Sequence, residues 1–359
     1  MKEKCRWLVI LLAVVTSVLS SCLAPAAVSA EKEELSSGAS MADNPSIIEQ
    51  AEFPVMVTDA AGREVCIERK PERLVSGYYI TTSMLIALGQ EEKLVGIEAK
   101  ADTRPLYGMA APKLLDLPNV GTAKVFDLEG CAALRPDLVI LPLKLKESIN
   151  ALEELGIPVL TVNPEDLPRL KETIALLGTA TGTAQRADSL LKCCDEMQTF
   201  LVETIPQSER PSVYLAGNSS YLSTAGSEMY QNTMLELGGG QNVAAELEDP
   251  YWAEVSYEQL LAWNPQIILI ASGAGYNKED LISDPNLTSL KAVQDGRVYT
   301  MPSSLEAWDS PVPGALLGSL WTASVLHSSF YDSEAFQSDV ADFYRTFYDL
   351  EIDQAILAR

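Results

Sequence analysis

The chain has 359 residues, with 26 Lys and Arg against 50 Asp and Glu and a formal net charge of −24. So acidic a surface repels nucleic acid and anionic lipid, and any anionic ligand must find a local basic patch. The single histidine, His327, rules out a bare zinc or manganese site built on several imidazoles; without a G-x-S-x-G elbow, a Ser-His-Asp hydrolase has no support either.

Lys2, Lys4 and Arg6 precede an apolar run from Trp7 to Leu19 that closes on Ser20, Ser21 and Cys22. A short apolar core behind a basic end is an export signal, too short for a comfortable spanning helix. The position of Cys22 resembles a bacterial lipobox, so residues 1–21 are expected to be cleaved and Cys22 to carry the lipid. Cleavage leaves 23 basic and 49 acidic side chains, a net charge of −26. Residues 22–51 then form a tether, rich in Ala, Ser and Glu without an apolar period, that holds a globular body off the membrane.

Val55 to Thr58 and Arg63 to Ile67 flank a turn and read as a hairpin. Pro71 to Val75 leads into a first core strand, Tyr78 to Thr82 follow, and a helix from Ser83 to Leu88 stops at Gly89. Strands at Leu94 to Ile97, Asp137 to Leu141 and Pro158 to Val162 alternate with helical segments, which argues for a mainly parallel sheet with helices on both faces. This N-terminal lobe takes residues 52–165. A helical connection takes 166–206: one segment from Leu167 to Leu177, and a second from Ala184 to about Thr204, about 30 Å long and stiff enough to disfavour large hinge closure. The C-terminal lobe, 207–359, restarts at Ser212 to Ala216. It continues with a helix near Met229 to Leu237, strands at Ile267 to Ile270 and Arg297 to Met301, and helices near Pro313 to Leu326 and Glu334 to Tyr348.

Several residues read as structural. Gly238 to Gly240 follows a helix without a phosphate-loop pattern and is a helix stop. His327, at the end of an apolar helical stretch, is a helix-end residue. Cys66, Cys131, Cys193 and Cys194 show no metal-ligand spacing; they read as structural thiols, and a Cys66 to Cys131 disulfide has no support from spacing. Adjacent Cys193 and Cys194 are expected to point in different directions from their helix.

Two segments repeat each other. Glu129, Pro136 and the strand-like run from Asp137 to Leu141 recur as Glu258, Pro265 and Gln266 to Ile270, at a constant offset of 129 residues. A period of that length suggests two lobes on one plan, each presenting a carboxylate at an equivalent surface point, as docking onto a two-fold symmetric partner would require.

The run from Val57 to Val65 (Val-Thr-Asp-Ala-Ala-Gly-Arg-Glu-Val), the run from Lys70 to Val75 and the Leu134 to Ile140 segment together resemble the substrate-binding lipoproteins of ABC importers for iron-siderophore complexes and corrinoids. The likeness extends from Phe53 to the C-terminus. It implies an α/β fold of two Rossmann-like lobes joined by a long rigid α-helix, with the ligand cleft between the lobes. It also implies no enzymatic activity and no resident cofactor. On this resemblance Glu129 and Glu258 dock onto arginines of a permease dimer driven by cytoplasmic ATPases, and Cys22 anchors the protein to the outer face of the cell membrane. The alternative for both glutamates is a solvated place at a helix start.

In such lobes the cleft lies beyond the carboxyl ends of the strands. The loops there offer Tyr78, Tyr79, Lys100, Arg104, Lys124 and Lys144 from the first lobe, and Tyr221, Trp252 and Trp308 from the second. Aromatics facing cations suit a bulky anionic metal chelate, with no protein side chain binding the metal directly. Tyr79 and Trp308 could equally be core anchors. The stretch around Trp308 offers either a stacking face with a helix N-terminus behind Ser310 and Pro311, or simply a cap at Asp309 or Ser310. A ferric siderophore is the expected cargo, ahead of a corrinoid, haem and a small oxyanion such as molybdate. A non-transport sensor or interaction lipoprotein is the rival from another class.

Overall fold

The computed structural model describes residues 52–353 and 357, except 123, 207 and 250. The export signal, Cys22 and the tether lie outside the described residues. The chain divides into residues 1–50 and 51–359, and the architecture below is that of the second unit.

The hairpin is present as β1 (Val55–Thr58) and β2 (Glu64–Ile67). The first lobe follows with β3 (Leu74–Ser76), α1 (Tyr79–Ala87), β4 (Leu94–Gly96), α2 (Pro105–Ala110), α3 (Leu128–Ala133), β5 (Leu138–Pro142), α4 (Lys146–Glu154) and β6 (Val159–Val162). Two helices, α5 (Leu167–Ala180) and α6 (Ala184–Thr204), lead to the second lobe. There the chain forms β7 (Ser212–Ala216), β8 (Ser223–Thr224), α7 (Tyr230–Leu237), β9 (Gln241–Asn242), β10 (Ala253–Glu254), α8 (Tyr257–Trp263) and β11 (Ile267–Ile270). It ends with α9 (Lys278–Ile282), α10 (Lys291–Gln294), β12 (Val298–Thr300), α11 (Ala315–Leu326) and α12 (Ser333–Tyr348).

The two sheets share one topology. Both are parallel and four-stranded, ordered β4-β3-β5-β6 and β9-β7-β11-β12, so in each the chain's first strand lies between its second and third. The offset of 129 carries through: α3 starts at Leu128 and α8 at Tyr257, while β5 starts at Leu138 and β11 at Ile267. β5 and β11 are buried along their whole length, as continuous aliphatic runs covered by helices on both faces must be.

Helix α6 has 21 residues, about 30 Å. It packs on α5, α7 and α11, so it is covered from more than one side. That explains why Cys193 and Cys194, expected to diverge, are both buried. Cys131 is buried as well, whereas Cys66 is exposed on the solvent face of β2, and among the described residues none of the four is in a disulfide. Gly238 caps α7, and His327 caps α11 with its Nε2 3.0 Å from the Gly239 carbonyl oxygen.

Helix α1 of the first lobe and the C-terminal helix α12 pack together, and Arg186 of α6 closes their seam. Its Nε donates to the Ala87 carbonyl oxygen at 2.5 Å and its NH2 group to that of Phe347 at 2.7 Å. A cation thus meets the last carbonyls of two helices, where the helix dipoles favour positive charge. Arg186→Met, which keeps the aliphatic stem, is expected to cost about 1–2 kcal/mol through these lost bonds. Denaturant unfolding checks this; an unchanged midpoint would show the seam to be indifferent to Arg186.

Candidate functional site

A cleft of about 910 Å³ opens where the carboxyl ends of the two sheets face each other. In each lobe the strand order reverses between the first and third strands, which leaves a crevice at their carboxyl ends. A glycine follows the first strand on both sides. A Cβ on Gly77 would fall 2.5 Å from the Leu141 side chain, and one on Gly217 would fall 2.3 Å from Ser223 and 2.8 Å from Trp252. Only glycine lets the chain turn so close to its neighbours into the cleft.

Of the expected ligand residues, Tyr78, Tyr79, Arg104 and Trp252 line this cleft, together with Lys144. Tyr78 immediately precedes α1 and Tyr79 opens it. Their rings meet edge to face at 5.3 Å. The Arg104 guanidinium lies over the Tyr79 ring, 4.1 Å from its centre, and the Lys144 ammonium lies 5.6 Å from the centre of Tyr78. Burial pushes both phenols up, so they stay protonated and act as hydrogen-bond donors, not as phenolates. Arg104 Nε is buried and has no hydrogen-bond partner among the described residues. A buried donor left unpaired is costly, and an acceptor on a ligand would satisfy it.

The other four expected ligand residues do not line the cleft. Trp308 is a core anchor: it is 1% exposed, its Nε1 donates to the Tyr344 hydroxyl at 2.9 Å, and its ring packs edge to face on Phe336. No helix begins behind Ser310, because α11 starts only at Ala315 with Gly314 as its cap. Asp309 is not a helix cap; its carboxylate accepts from the Ser272 N–H at 2.9 Å. Tyr221 belongs to the second lobe's own packing, edge to face on Tyr276 with its hydroxyl donating to Asp284 at 2.8 Å. Lys100 caps a short 3-10 turn in exposed left-handed backbone, and only the far end of that turn, at Arg104, reaches the cleft lining. Lys124 is exposed in the loop before α3.

The cleft also holds acidic groups that no local pattern announces. Glu306 lines its floor and is buried. Its carboxyl accepts from Ser83 of α1 and from the Tyr344 hydroxyl of α12 at 2.9 Å, with Tyr348 beside it at 3.4 Å. One side chain thereby joins the first lobe to the C-terminal helix. Burial pushes Glu306 up to about 7 and Asp309 up to about 6, against the hydrogen bonds that favour their ionised forms. Glu98, behind Arg104, accepts from Thr82 at 2.5 Å and Tyr107 at 2.9 Å, and burial raises it too. Among the described residues no group of three His, Cys, Asp or Glu could hold a metal ion.

Glu129 and Glu258 are exposed in the first turns of α3 and α8, behind the caps Asp127 and Ser256. Glu258 is held below the usual carboxylate range by its own backbone N–H and by Ser256. Helices that feed parallel strands run back against them, so these first turns lie at the cleft end of each lobe.

A family profile described as periplasmic binding protein matches residues 74–305. The chain belongs to that family. It is a substrate-binding protein of an ABC transporter, a transport component and not an enzyme. It is 27% identical over 320 residues to the molybdate-binding protein MolA of Haemophilus influenzae, covering 82% of this chain and 90% of that protein. The molybdate-bound structure of MolA superposes with a TM-score of 0.74, covering 83% and 99% of the two chains at 25% identity. The ABC transporter substrate-binding lipoprotein YvrC of Bacillus subtilis is 30% identical over 271 residues, 72% of this chain and 82% of its own. A periplasmic solute-binding protein of Veillonella parvula gives a TM-score of 0.76 at 25% identity, covering 84% and 95%. Among the described residues no helix is long and apolar enough to cross a membrane.

Glu306 makes stability depend on pH. Its ordinary value is 4.5 and its folded value about 7, so between these limits the folded protein holds a proton that the unfolded chain releases. Stability therefore falls as pH rises through this window, and the penalty is complete above it, on the order of 3 kcal/mol. Urea unfolding at pH 5 and pH 8 should show this loss in the wild type and a smaller one in Glu306→Gln, where Asp309 and Glu98, also raised by burial, still contribute. Parallel pH profiles for the two proteins would contradict it.

Proposed function

We propose that this protein captures an oxygen-rich, anionic metal chelate of the ferric siderophore type in the interlobe cleft and delivers it to an ABC permease, with lipidated Cys22 as its membrane anchor. The observation that carries the reading is the cleft itself. Its volume of about 910 Å³ falls in the range that encloses a drug-sized ligand, roughly 300–1,000 Å³, and exceeds what a bare tetrahedral oxyanion fills. Tyr78 and Tyr79 offer neutral phenol donors and aromatic faces, and Arg104 and Lys144 offer charge beside them. Such a wall grips the ligand shell of a chelate by stacking and charge-assisted hydrogen bonds, without displacing the shell from the metal.

Molybdate is the second reading, favoured by the similarity to MolA and its molybdate-bound structure. Calorimetric titration with ferric chelates and with molybdate separates the two. On the chelate reading Arg104→Gln weakens chelate binding by about 10- to 100-fold, since a hydrogen bond to a charged group contributes roughly 1.5–3 kcal/mol. Molybdate bound tightly while every chelate fails would replace the first reading with the second.

For delivery, Glu129 and Glu258 are the proposed contacts, one per lobe, each meeting a basic pocket on one permease subunit. Removing one partner of a buried interfacial ion pair costs about 2–5 kcal/mol, partly because the other charge is left unpaired. Glu129→Ala or Glu258→Ala should impair uptake and the double variant abolish it, with chelate affinity unchanged. Normal uptake by a folded double variant would remove these residues from docking.

A further inference from the structure

The walls of the cleft differ in charge. Every cation that lines it, Arg104, Lys144 and Arg169, comes from the first lobe or from the start of α5 beside β6. Among the described lining residues the second lobe contributes no Lys, Arg or His; it contributes Glu228, Glu306 and Asp309. The one carboxylate on the first wall, Glu165, accepts from the Tyr78 hydroxyl at 3.4 Å, while Arg169 is engaged by Asp166 at 3.5 Å. Arg104 and Lys144 form no salt bridge among the described residues, and Arg104 Nε is the buried donor without a partner. On the opposite side Glu228 is exposed at the rim, and Glu306 and Asp309 lie at the floor. Burial pushes Glu306 only to about 7 and Asp309 only to about 6, so above neutral pH the floor carries negative charge.

A ligand that is anionic all round would be drawn to one wall and repelled by the other, and like charges facing each other across an interface discriminate strongly against the wrong partner. Resting on the chelate reading above, we propose that the cleft selects a two-faced chelate. Its oxygen-donor face turns to Tyr78, Tyr79, Arg104 and Lys144, and an ammonium or other N–H-bearing face turns to the second lobe at Glu228. Glu228 is then a specificity residue that reads the part of the cargo remote from the metal. The first wall supplies the grip, and the second decides which chelates are refused.

The test holds the metal core constant and changes only the tail. Three ferric trihydroxamates, ending in an ammonium, an acetamide or a succinate carboxylate, are titrated against the full chain in detergent at pH 8, read by tryptophan fluorescence. At low ionic strength the ammonium form should bind tightest and the succinate form at least about ten-fold more weakly, as like charge at the second wall requires. Glu228→Lys should reverse the order of these two. Equal or tighter binding of the succinate form by the wild type would overturn the polarity, as would an order that Glu228→Lys leaves untouched. Failure of the chelate reading looks different: none of the three binds while molybdate does, and this inference falls with it.

Discussion

The seam between α1 and α12 decides what the rest of the molecule can do. One helix belongs to the first lobe and the other closes the second, and two polar clusters join them. Glu306 gathers Ser83, Tyr344 and Tyr348 on the cleft side, and Arg186 holds the last carbonyls of both helices from α6. The first cluster is buried, where an unpaired polar group is costly, so separating the lobes there means breaking several hydrogen bonds at once. With α6 rigid behind it, this seam leaves the lobes small rotations and not a wide hinge. A cleft held by such a seam has less freedom to lose on binding, which favours affinity.

On this frame the duplication places chemistry symmetrically where symmetry is useful and asymmetrically where it is not. Equivalent glycines, Gly77 and Gly217, turn the chain into the cleft after each first strand, and equivalent glutamates start α3 and α8. The loops between these landmarks have diverged. The first lobe carries aromatics and cations, and the second carries Trp252 with a row of acids. The outer helices thus present matching geometry on the two lobes, while the walls of the cleft within are unlike.

Much of this plan is legible in the sequence. Continuous aliphatic runs marked β5, β7 and β11, and the unbroken apolar period from Ala184 to Thr204 marked α6 with its observed bounds. The 129-residue offset between Glu129 and Glu258 marks the paired lobes. The cleft was less legible, because a single loop after a strand sends some of its residues into the cleft and leaves others outside it. The loop after β4 brings Arg104 to the cleft, while Lys100, at the other end of the same 3-10 turn, is exposed outside the lining. Trp308 reads equally as a stacking face or an anchor, and the deciding partner, Tyr344, lies 36 residues on. Glu306 gave no signal at all, since its partner Ser83 is 223 residues away and a lone glutamate in a loop ordinarily means solvent.

A crystal structure of the protein with a bound ferric chelate, using anomalous scattering to locate the iron, tests most directly whether cargo sits between the unlike walls, at the carboxyl ends of both sheets. One iron peak is expected in the cleft, with ligand oxygens within hydrogen-bond distance of Arg104 and the Tyr78 or Tyr79 hydroxyl. An iron peak on the outer surface of either lobe, with the cleft occupied by solvent alone, would contradict it.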